Sequence, residues 1–531
     1  MNDEYKGGTS KEGTLKYLNI ASDETEIPID ICDIIVNEII QLNSTSDSNR
    51  IQQIYDNCLS VIEKYGNAAC ELLFSEGINN IISKDILNYP ESLMTTPLEI
   101  IYHLCSSNID FALRILDSDF INIIFQIIKE SIDPYILHLC IDIAASGYNY
   151  SIKILNNNKY LDIIRYAFMV RVRYSPKSDC HILNSAKEYI NFKKSVKDGE
   201  KSYEQFNIDQ INLINGEPLF FQEIQNRAES FTDNAIPLIE AIDDENDIDK
   251  LIISVFDCYS SICQNQYLDD SVHISQFISD CILFQNYHIL EVRISVYNCL
   301  SKLCIKKFKN SFDIIKTEKN FIKSLLFYAQ WTDNEEILNS IANIIRFLVS
   351  ISDRNQKKCL IKYGVVDALE YLLFKNIDYD ILLEIVGFLI AFSDSVAIKL
   401  IEIQIIQYLL SCVNISLPND SKIIFAEFFA RAVRHLPISY SQQLFSNDPV
   451  LEIAVSVFRT VNPNLAFRIL QAFQKLLTGL KEVPQNEFAV KSATILVDSG
   501  EFEEDEIFDN EKLDAEYIKL RQRLYDLNLD P

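Results

Sequence analysis

The chain has 531 residues, 48% of them apolar, and its 76 acidic and 48 basic side chains give a formal net charge of -28. Because nucleic-acid binders neutralise phosphates with clustered Lys and Arg, this charge disfavours DNA and RNA as partners. The 12 glycines and 13 prolines are too few for the tight turns of a sandwich, a barrel or a nucleotide-cradling fold. The composition predicts a folded helical protein whose acidic surface either attracts basic segments of other proteins or simply keeps it dispersed.

Residues 1–30 are predicted to form a polar, mobile N-terminal arm. They contain no basic start followed by an apolar run, so they do not read as a secretory signal. Apolar stretches such as 381–392 are short and carry Glu384, so neither a membrane span nor a membrane partner is predicted. The 13 cysteines are scattered without a C-x-x-C pair, which indicates buried thiols in a reducing cytoplasm, with the nucleus also open.

Residues 31–168 are predicted to form a first group of repeats. The segments "ACELL" (69–73), "ALRIL" (112–116) and "SIKIL" (151–155) begin 43 and 39 residues apart. The second and third segments are followed, after a short polar break, by a helix with the apolar spacing h-x-x-h-x-x-h-h, which builds one stripe on a helix. Self-similarity at a period of roughly forty residues is typical of stacked two- or three-helix units.

Local signals predict where several helices begin. Thr96, followed by Pro97 and by Glu99, forms a capping box that would open the helix "LEIIYHLC". Asp133 would cap the helix that follows it, and "DNEE" at 333–336 would open another. No stretch shows sustained alternation of apolar and polar residues, so strands are not predicted.

Residues 169–232 interrupt the repeats with an irregular basic insert. Its segment 171–201 holds eight Lys or Arg against four Asp or Glu, and it either grips an acidic partner or is a solvated excursion of the chain. A second group of repeats is predicted over 233–480. The same apolar spacing, h-x-x-h-x-x-h-h, returns there in copies that begin at Ile322, Val366 and Ile403. The last copy also fits a register shifted by three residues.

Residues 481–531 are predicted to form an acidic tail with a terminal amphipathic helix. The stretch 498–516 is strongly acidic, and apolar residues follow at four-three-four-three spacing: Leu513, Tyr517, Leu520, Leu524 and Leu527. Two heptads are too few for an independent coiled coil. The helix is therefore either docked on the last repeat as a cap or offered to a partner helix.

The repeats resemble those of armadillo/HEAT-type proteins. The segments "NQKKCLIKYGVVDALEYLL" (355–373) and "NAACELLFSEGINNII" (67–82) are similar to the end of an armadillo unit, where a short second helix turns through a Gly into a long third helix. The resemblance implies an all-α fold, an armadillo-like α-α superhelix that forms a right-handed solenoid. It also implies a non-enzymatic protein that holds an extended partner in a concave groove lined by the third helices.

The functional hypothesis is a protein-binding scaffold or adaptor, with the regulatory subunit of an enzyme complex as the alternative. Phosphate-loop, dinucleotide, nucleophile-elbow and zinc-protease motifs are absent from the sequence, so no enzyme activity and no cofactor are predicted. His103 and His138 each lie two residues before a Cys, and this spacing does not predict a shared metal. Importin-alpha-type receptors pair Trp with Asn four residues later. Here Glu335 follows Trp331, which disfavours a nuclear transport adaptor.

The same apolar spacing also predicts a row of partner-binding residues. The position after the first apolar residue of each predicted third helix is polar, and in four of five copies the residue four positions further on is aromatic. Tyrosine brings large contact area at low entropic cost, although the same rings could pack between neighbouring units. We expect the following pairs to line the groove and to contact an extended basic segment: Asp162 and Tyr166, Asp367 and Tyr371, Gln404 and Tyr408.

Overall fold

A computed structural model describes most of the chain on either side of the predicted insert. The described residues are 27–116, 119–131, 133–148, 164, 245–264, 272–285, 287, 289–305, 315, 319–330, 332–373, 375–414, 416–478, 487–502 and 510–525. Within these ranges all regular structure is helical, with 24 α-helices, one short 3-10 turn and no strand. The predicted insert 169–232 and nearly all of the predicted N-terminal arm lie outside them.

The described residues divide into two compact units, one up to Cys299 and the other from Leu300. The helices of unit 1 are α1 (Ile29–Leu42), α2 (Ser48–Tyr65), α3 (Asn67–Ser75), α4 (Ile78–Asp85), α5 (Glu91–Ser107), α6 (Ile109–Leu116), α7 (Phe120–Glu130), α8 (Pro134–Tyr148), α9 (Glu245–Gln264), α10 (Val272–Phe284) and most of α11 (Leu290–Ile305).

Unit 2 continues the same succession of longer and shorter helices. It contains α12 (Lys319–Ala329), α13 (Glu335–Ile351), α14 (Arg354–Lys362), α15 (Val365–Leu372), α16 (Tyr379–Ile390), α17 (Asp394–Glu402), α18 (Ile405–Ser411), α19 (Asn419–His435), α20 (Ile438–Phe445), α21 (Asp448–Phe458), α22 (Pro463–Leu476), α23 (Glu487–Asp498) and α24 (Glu511–Tyr525).

Side-chain caps start many of these helices. The Asn334 side chain accepts a hydrogen bond from the Ile337 backbone at 3.0 Å, at the head of α13. This confirms the helix start predicted near "DNEE". Asp353 and Gln356 form a reciprocal capping box at α14, which satisfies backbone donors that a helix start leaves open. The predicted cap at Asp133 is also present, because its carboxylate accepts from the Tyr135 backbone at 2.8 Å.

The start predicted at Thr96 is wrong. Helix α5 begins five residues earlier, and Pro97 lies inside it. The Thr96 hydroxyl is instead engaged across the α2–α5 contact, where it accepts from the Gln52 amide at 2.9 Å and donates to Asp56 at 3.3 Å. The interior proline removes one helix hydrogen bond. The packing of a longer α5 along α2 compensates for that loss, a tertiary effect that local sequence signals do not carry.

Three repeats share a left-handed junction between their two short helices. Gly77 precedes α4 with φ 78°, Gly364 precedes α15 with φ 96°, and Gln404 precedes α18 with φ 61°. Gln404 is therefore the counterpart of Gly364. The alternative register of the last copy is the one the structure adopts, and the alignment of Gln404 with Asp367 is wrong by three residues.

The long helices are not those expected from the sequence. Helix α15, which follows Gly364, has only 8 residues, whereas α13 has 17. The chain leaves α15 at Leu372, and the Asp378 carboxylate caps a new helix by accepting from the Asp380 backbone at 3.0 Å. The long helices pack directly on one another, α2, α5, α8 and α9 in unit 1 and α13, α16, α19 and α22 in unit 2. These series, not the helices after the glycines, form the continuous stacks.

Apolar side chains fill the space between the helices, and cysteines are part of that core. The cysteines predicted to be buried are indeed buried: Cys70, Cys105, Cys140, Cys258, Cys299 and Cys304. Helix α24 packs on α22 and buries Leu513, Tyr517, Leu520 and Leu524, so the terminal helix is docked as a cap. Leu527 lies outside the described residues.

Candidate partner-binding surfaces

Asp367 and Tyr371 lie together on α15. The Asp367 carboxylate is exposed and pairs with the Lys399 ammonium of the next repeat at 3.1 Å. The Tyr371 hydroxyl donates to Asp333 Oδ1 at 2.8 Å, and Lys375 Nζ lies 2.6 Å from the same oxygen. Burial and the bond to Asp333 raise the pKa of Tyr371 to about 12. Both side chains therefore connect neighbouring elements of unit 2.

Gln404 and Tyr408 lie on a different part of their repeat from Asp367 and Tyr371. Gln404 is the left-handed residue before α18, and Tyr408 is 42% exposed. In the register set by the junctions, Tyr408 corresponds to Ala368 and not to Tyr371. The four residues do not form one row. Asp162 and Tyr166 lie outside the described residues.

The long helices of unit 1 present a different surface, with one stripe of partly exposed side chains per helix. Members of each stripe are three or four residues apart, except that Tyr102 and His103 are neighbours on α5, and spacings of three and four keep side chains on one side of a helix. We call this surface the unit 1 face. It consists of Gln52, Asp56, Leu59 and Glu63 on α2, Glu99, Tyr102, His103 and Ser106 on α5, Tyr135, His138, Asp142 and Ser146 on α8, and Lys250, Ile253, Asp257 and Ser261 on α9.

The unit 1 face is acidic. Its carboxyl groups are Asp56, Glu63, Glu99, Asp142 and Asp257. Its single lysine, Lys250, is paired with Asp247 at 2.8 Å. The pKa of Glu99 is raised by burial, with further contributions from Glu63 and Asp56, and the hydroxyl of Tyr135 donates to it across the α5–α8 contact. Mutual repulsion of this kind costs folding free energy, so a structural role alone does not account for the cluster.

The pKa of Asp142 is more strongly raised than that of Glu99. Burial and the nearby Asp257 carboxylate raise its pKa to about 8, against a hydrogen bond from Ser254 that lowers it. Burial, with Asp142 next in effect, raises the pKa of Tyr102 to about 12. Near neutral pH Asp142 therefore keeps its proton, and the face becomes more negative as the pH rises through about 8.

The two histidines of the face are neutral near pH 7. Burial and Lys250 lower the pKa of His138 to about 4, and burial lowers that of His103. Cys105 and Cys140, two residues further along the same helices, are buried in the core. Each His and its Cys thus point to different sides of the helix, as their spacing predicts. In the part of the chain that the structure describes, no group of three or more His, Cys, Asp or Glu side chains could hold a metal ion.

The corresponding stripes of unit 2 are tied together by ion pairs. Arg346 lies 3.2 Å from Glu384 between α13 and α16, and Arg468 lies 3.6 Å from Glu427 between α19 and α22. Glu427 also pairs with Arg431 one turn along α19. Opposite charges are thus matched between these helices of unit 2, whereas the unit 1 face has five carboxyl groups and one lysine.

The unit 1 face was not predicted from the sequence, because the predicted partner-binding row lies on the shorter helices. One available signal was the isolated charge within a long apolar run, as for Asp142 in "LHLCIDIAA". The repeated "YHLC" and "LHLC" marked the same side of α5 and α8. A single polar residue of this kind indicates a shared surface only when the packing of neighbouring helices is known.

The described helices include none long and apolar enough to cross a membrane. No protein-family model and no curated protein sequence matches the chain. The crystal structure of an engineered protein aligns with 92% of this chain and 99% of its own length, at 10% identity and a TM-score of 0.54. A structure from work on a phosphorylation switch controlling the interaction between cadherin and beta-catenin aligns with 96% of this chain and 94% of its own, at 10% identity and a TM-score of 0.52.

A designed armadillo repeat protein aligns with 47% of the chain at 14% identity and a TM-score of 0.34. At these identities the alignments bear on the fold alone. The predicted fold class is confirmed: the chain is an all-α solenoid that resembles the armadillo-type helical repeat proteins.

Proposed function

We propose that this protein is a non-enzymatic scaffold or adaptor whose unit 1 face holds an extended, basic segment of another protein. The observation that carries the proposal is the concentration of five carboxyl groups, of which Asp142 keeps its proton near neutral pH, and two tyrosines on four adjacent long helices, with one lysine among them. Carboxylates attract Lys and Arg side chains, and partly buried tyrosines supply rigid contact area. The fold supports the proposal, because stacked repeats build extended binding surfaces.

The spacing of the helices favours an extended partner. Packed helices lie about 8–10 Å apart, and an extended chain advances about 3.3 Å per residue. A segment that crosses the long helices therefore meets a new helix about every third residue. A peptide with a basic side chain at every third position would present one cation to each stripe of the face.

The cysteines support an intracellular location for this function. No disulfide joins any of the 12 cysteines among the described residues, as is usual where cellular reductants keep thiols reduced. We place the protein in the cytoplasm, with the nucleus as the alternative.

The proposal is tested by fluorescence anisotropy with a fluorescein-labelled, C-terminally amidated peptide that has Lys at every third position and Ser between. The face variant combines Asp56→Asn, Glu63→Gln and Glu99→Gln, changes that remove charge but keep a side-chain acceptor. At low ionic strength it should bind the peptide about tenfold more weakly than wild type, a loss of about 1.4 kcal/mol.

A matched control variant removes three carboxylates from the short helices and turns of unit 1, by Glu71→Gln, Glu76→Gln and Asp110→Asn. All three side chains are exposed and lie outside the unit 1 face. This variant has the same net charge as the face variant and should bind like wild type. Equal weakening of both variants would mean that only overall charge matters, and the proposed site would be wrong.

The tyrosines predicted from the sequence remain a second proposed contact surface. Replacing Tyr371 and Tyr408 with Ala should weaken the binding of a partner that uses α15 and α18. Tyr408 is 42% exposed and should be replaceable with little loss of stability, whereas Tyr371 is half-buried and bonded to Asp333. Binding should therefore be compared for the single Tyr408→Ala variant first. Unchanged binding together with an unchanged melting temperature would remove this surface from consideration.

A further inference from the structure

One aromatic ring in unit 2 is approached by two cations from different repeats. The Arg431 guanidinium carbon lies 4.0 Å from the centroid of the Phe388 ring, and Lys357 Nζ lies 5.8 Å from it. Phe388 belongs to α16, Lys357 to α14 and Arg431 to α19. Both distances are within the range of a cation–π interaction. Helices α14 and α19 thus each bring a cation to a ring of α16.

More basic groups continue this cluster along α19 and α22. Arg434 and His435 end α19, and Lys475 of α22 donates to the Arg434 carbonyl at 2.9 Å. Burial lowers the pKa of Lys357, and Arg431 lowers it further. Burial lowers the pKa of His435 as well, with added effects of Arg434 and Lys475. These groups repel one another, and that repulsion opposes folding.

The positive charge of the cluster is only partly neutralised. Arg431 pairs with Glu427, and Asp394 acts on His435 and Lys475. Lys357 and Arg434 have no ion-pair partner among the residues that the structure describes. In a chain with a net charge of -28, acidic side chains are abundant. A structural cation–π contact with Phe388 would need only Arg431. It does not explain why Lys357 and Arg434 also lie in the cluster without ion-pair partners among the described residues.

We propose that Lys357, Phe388, Arg431 and Arg434 form a docking surface for an extended, Glu- or Asp-rich segment of a partner protein. Lys357 and Arg434 supply unpaired donors for carboxylates, which form stronger hydrogen bonds with charged donors than with neutral ones. The Phe388 ring, already held by Arg431, gives the apolar parts of the segment a fixed surface. This surface has the opposite charge preference to the unit 1 face, and its assignment does not rest on the function proposed for that face.

The test uses the full chain and a fluorescein-labelled peptide with Glu at every third position and Ser between. The cluster variant Lys357→Gln with Arg434→Gln should bind this peptide about tenfold more weakly than wild type in fluorescence anisotropy at low ionic strength. The control variant Lys358→Gln with Lys362→Gln removes two cations from exposed positions of α14, the helix that carries Lys357. It should bind the Glu peptide like wild type.

Three further arms make the result decisive. The conservative variant Lys357→Arg with Arg434→Lys should retain binding, which separates lost charge from lost structure. The unit 1 face variant should bind the Glu peptide normally, and the cluster variant should bind the Lys peptide normally. The proposal would be overturned by the absence of Glu-peptide binding to wild type, by equal losses in the cluster and control variants, or by binding only of a peptide that carries phosphoserine in place of Glu.

Discussion

Gln404 occupies a left-handed backbone position, φ 61°, where two related junctions have glycine. A residue with a Cβ atom pays about 1–2 kcal/mol in this region, and glycine loses part of that advantage through the greater freedom of its unfolded chain. We therefore expect Gln404→Gly to raise the free energy of unfolding by up to about 1 kcal/mol in urea titrations. Gly364→Ala should lower it by about as much or more. Destabilisation by Gln404→Gly would contradict the proposed strain.

Gln404 also shows why the register of its repeat could not be predicted from the sequence. Gly77 and Gly364 mark their junctions, but nothing in the residue type of Gln404 indicates a left-handed turn. The apolar stagger around it fits two registers, and only the backbone conformation selects one. The aromatic row predicted through Tyr371 and Tyr408 depended on the other register. Asp367 and Tyr371 could be placed on a common helix from spacing alone, but their links to Lys399 and Asp333 depend on how repeats stack.

Asp142 should make stability depend on pH. Its pKa is about 8 in the folded protein, against 3.8 as the ordinary value. The folded state therefore holds a proton that the unfolded chain releases, and the free energy of unfolding falls as the pH rises from about 4 to about 8. One carboxyl contributes at most about 1.4 kcal/mol per pH unit to this slope.

Replacing Asp142 with Asn should flatten that slope and stabilise the protein at the upper end of the window. The measurement is urea unfolding of wild type and variant at about pH 5 and about pH 8. Asp257→Asn is the companion variant, because it should lower the pKa of Asp142 and flatten the slope in part. Identical pH dependence in wild type and Asp142→Asn would show that Asp142 is ionised throughout.

Among the elements, α24 is the one whose docking is most open to a direct test. Tyr517 is buried, its ring lies 6.5 Å from that of Phe458 and 5.8 Å from that of Phe502, and its hydroxyl donates to the Glu501 carbonyl at 3.2 Å. We expect Tyr517→Ala to cost about 3 kcal/mol, as truncations of large buried aromatic residues do. Ile518, one residue further on, is 55% exposed. Its replacement by Ala should change the free energy of unfolding by less than about 0.5 kcal/mol.

If α24 were undocked in solution, the two substitutions would have equally small effects. The apolar spacing of this helix was readable from the sequence, but the choice between a cap and a partner helix was not. That choice depends on the side of α22 that α24 covers. There the Arg523 guanidinium donates to the carbonyls of Gln474 and Leu477, each at 3.1 Å.

Helix existence was more predictable than helix length. The periodic apolar residues and the caps at Asp133 and near Asn334 correctly predicted that helices begin there. The early start of α5 and the short α15 did not follow from local signals, because the first depends on packing along α2 and the second on the cap of the next helix. The predicted partner-binding row was placed on helices that were expected to be long, and α15 and α18 have only 8 and 7 residues.

At the scale of the whole molecule, acidic and basic side chains are concentrated on different surfaces of the described helices. Unit 1 gathers carboxyl groups on its long helices, and unit 2 gathers cations around Phe388. The net charge of -28 describes neither surface. The two surfaces would therefore distinguish partner segments by charge, and added salt should weaken both interactions because both are electrostatic.

Carboxyl footprinting tests the central claim most directly. The full chain is labelled with a carbodiimide and an amine, with and without the amidated Lys peptide, and the modification of each Asp and Glu is read by mass spectrometry. We expect the peptide to reduce labelling at Asp56, Glu63 and Glu99 and to leave Glu71, Glu76 and Asp110 unchanged. Equal protection of both sets, or protection confined to Asp367 on α15, would contradict the assignment of the unit 1 face as the partner-binding surface.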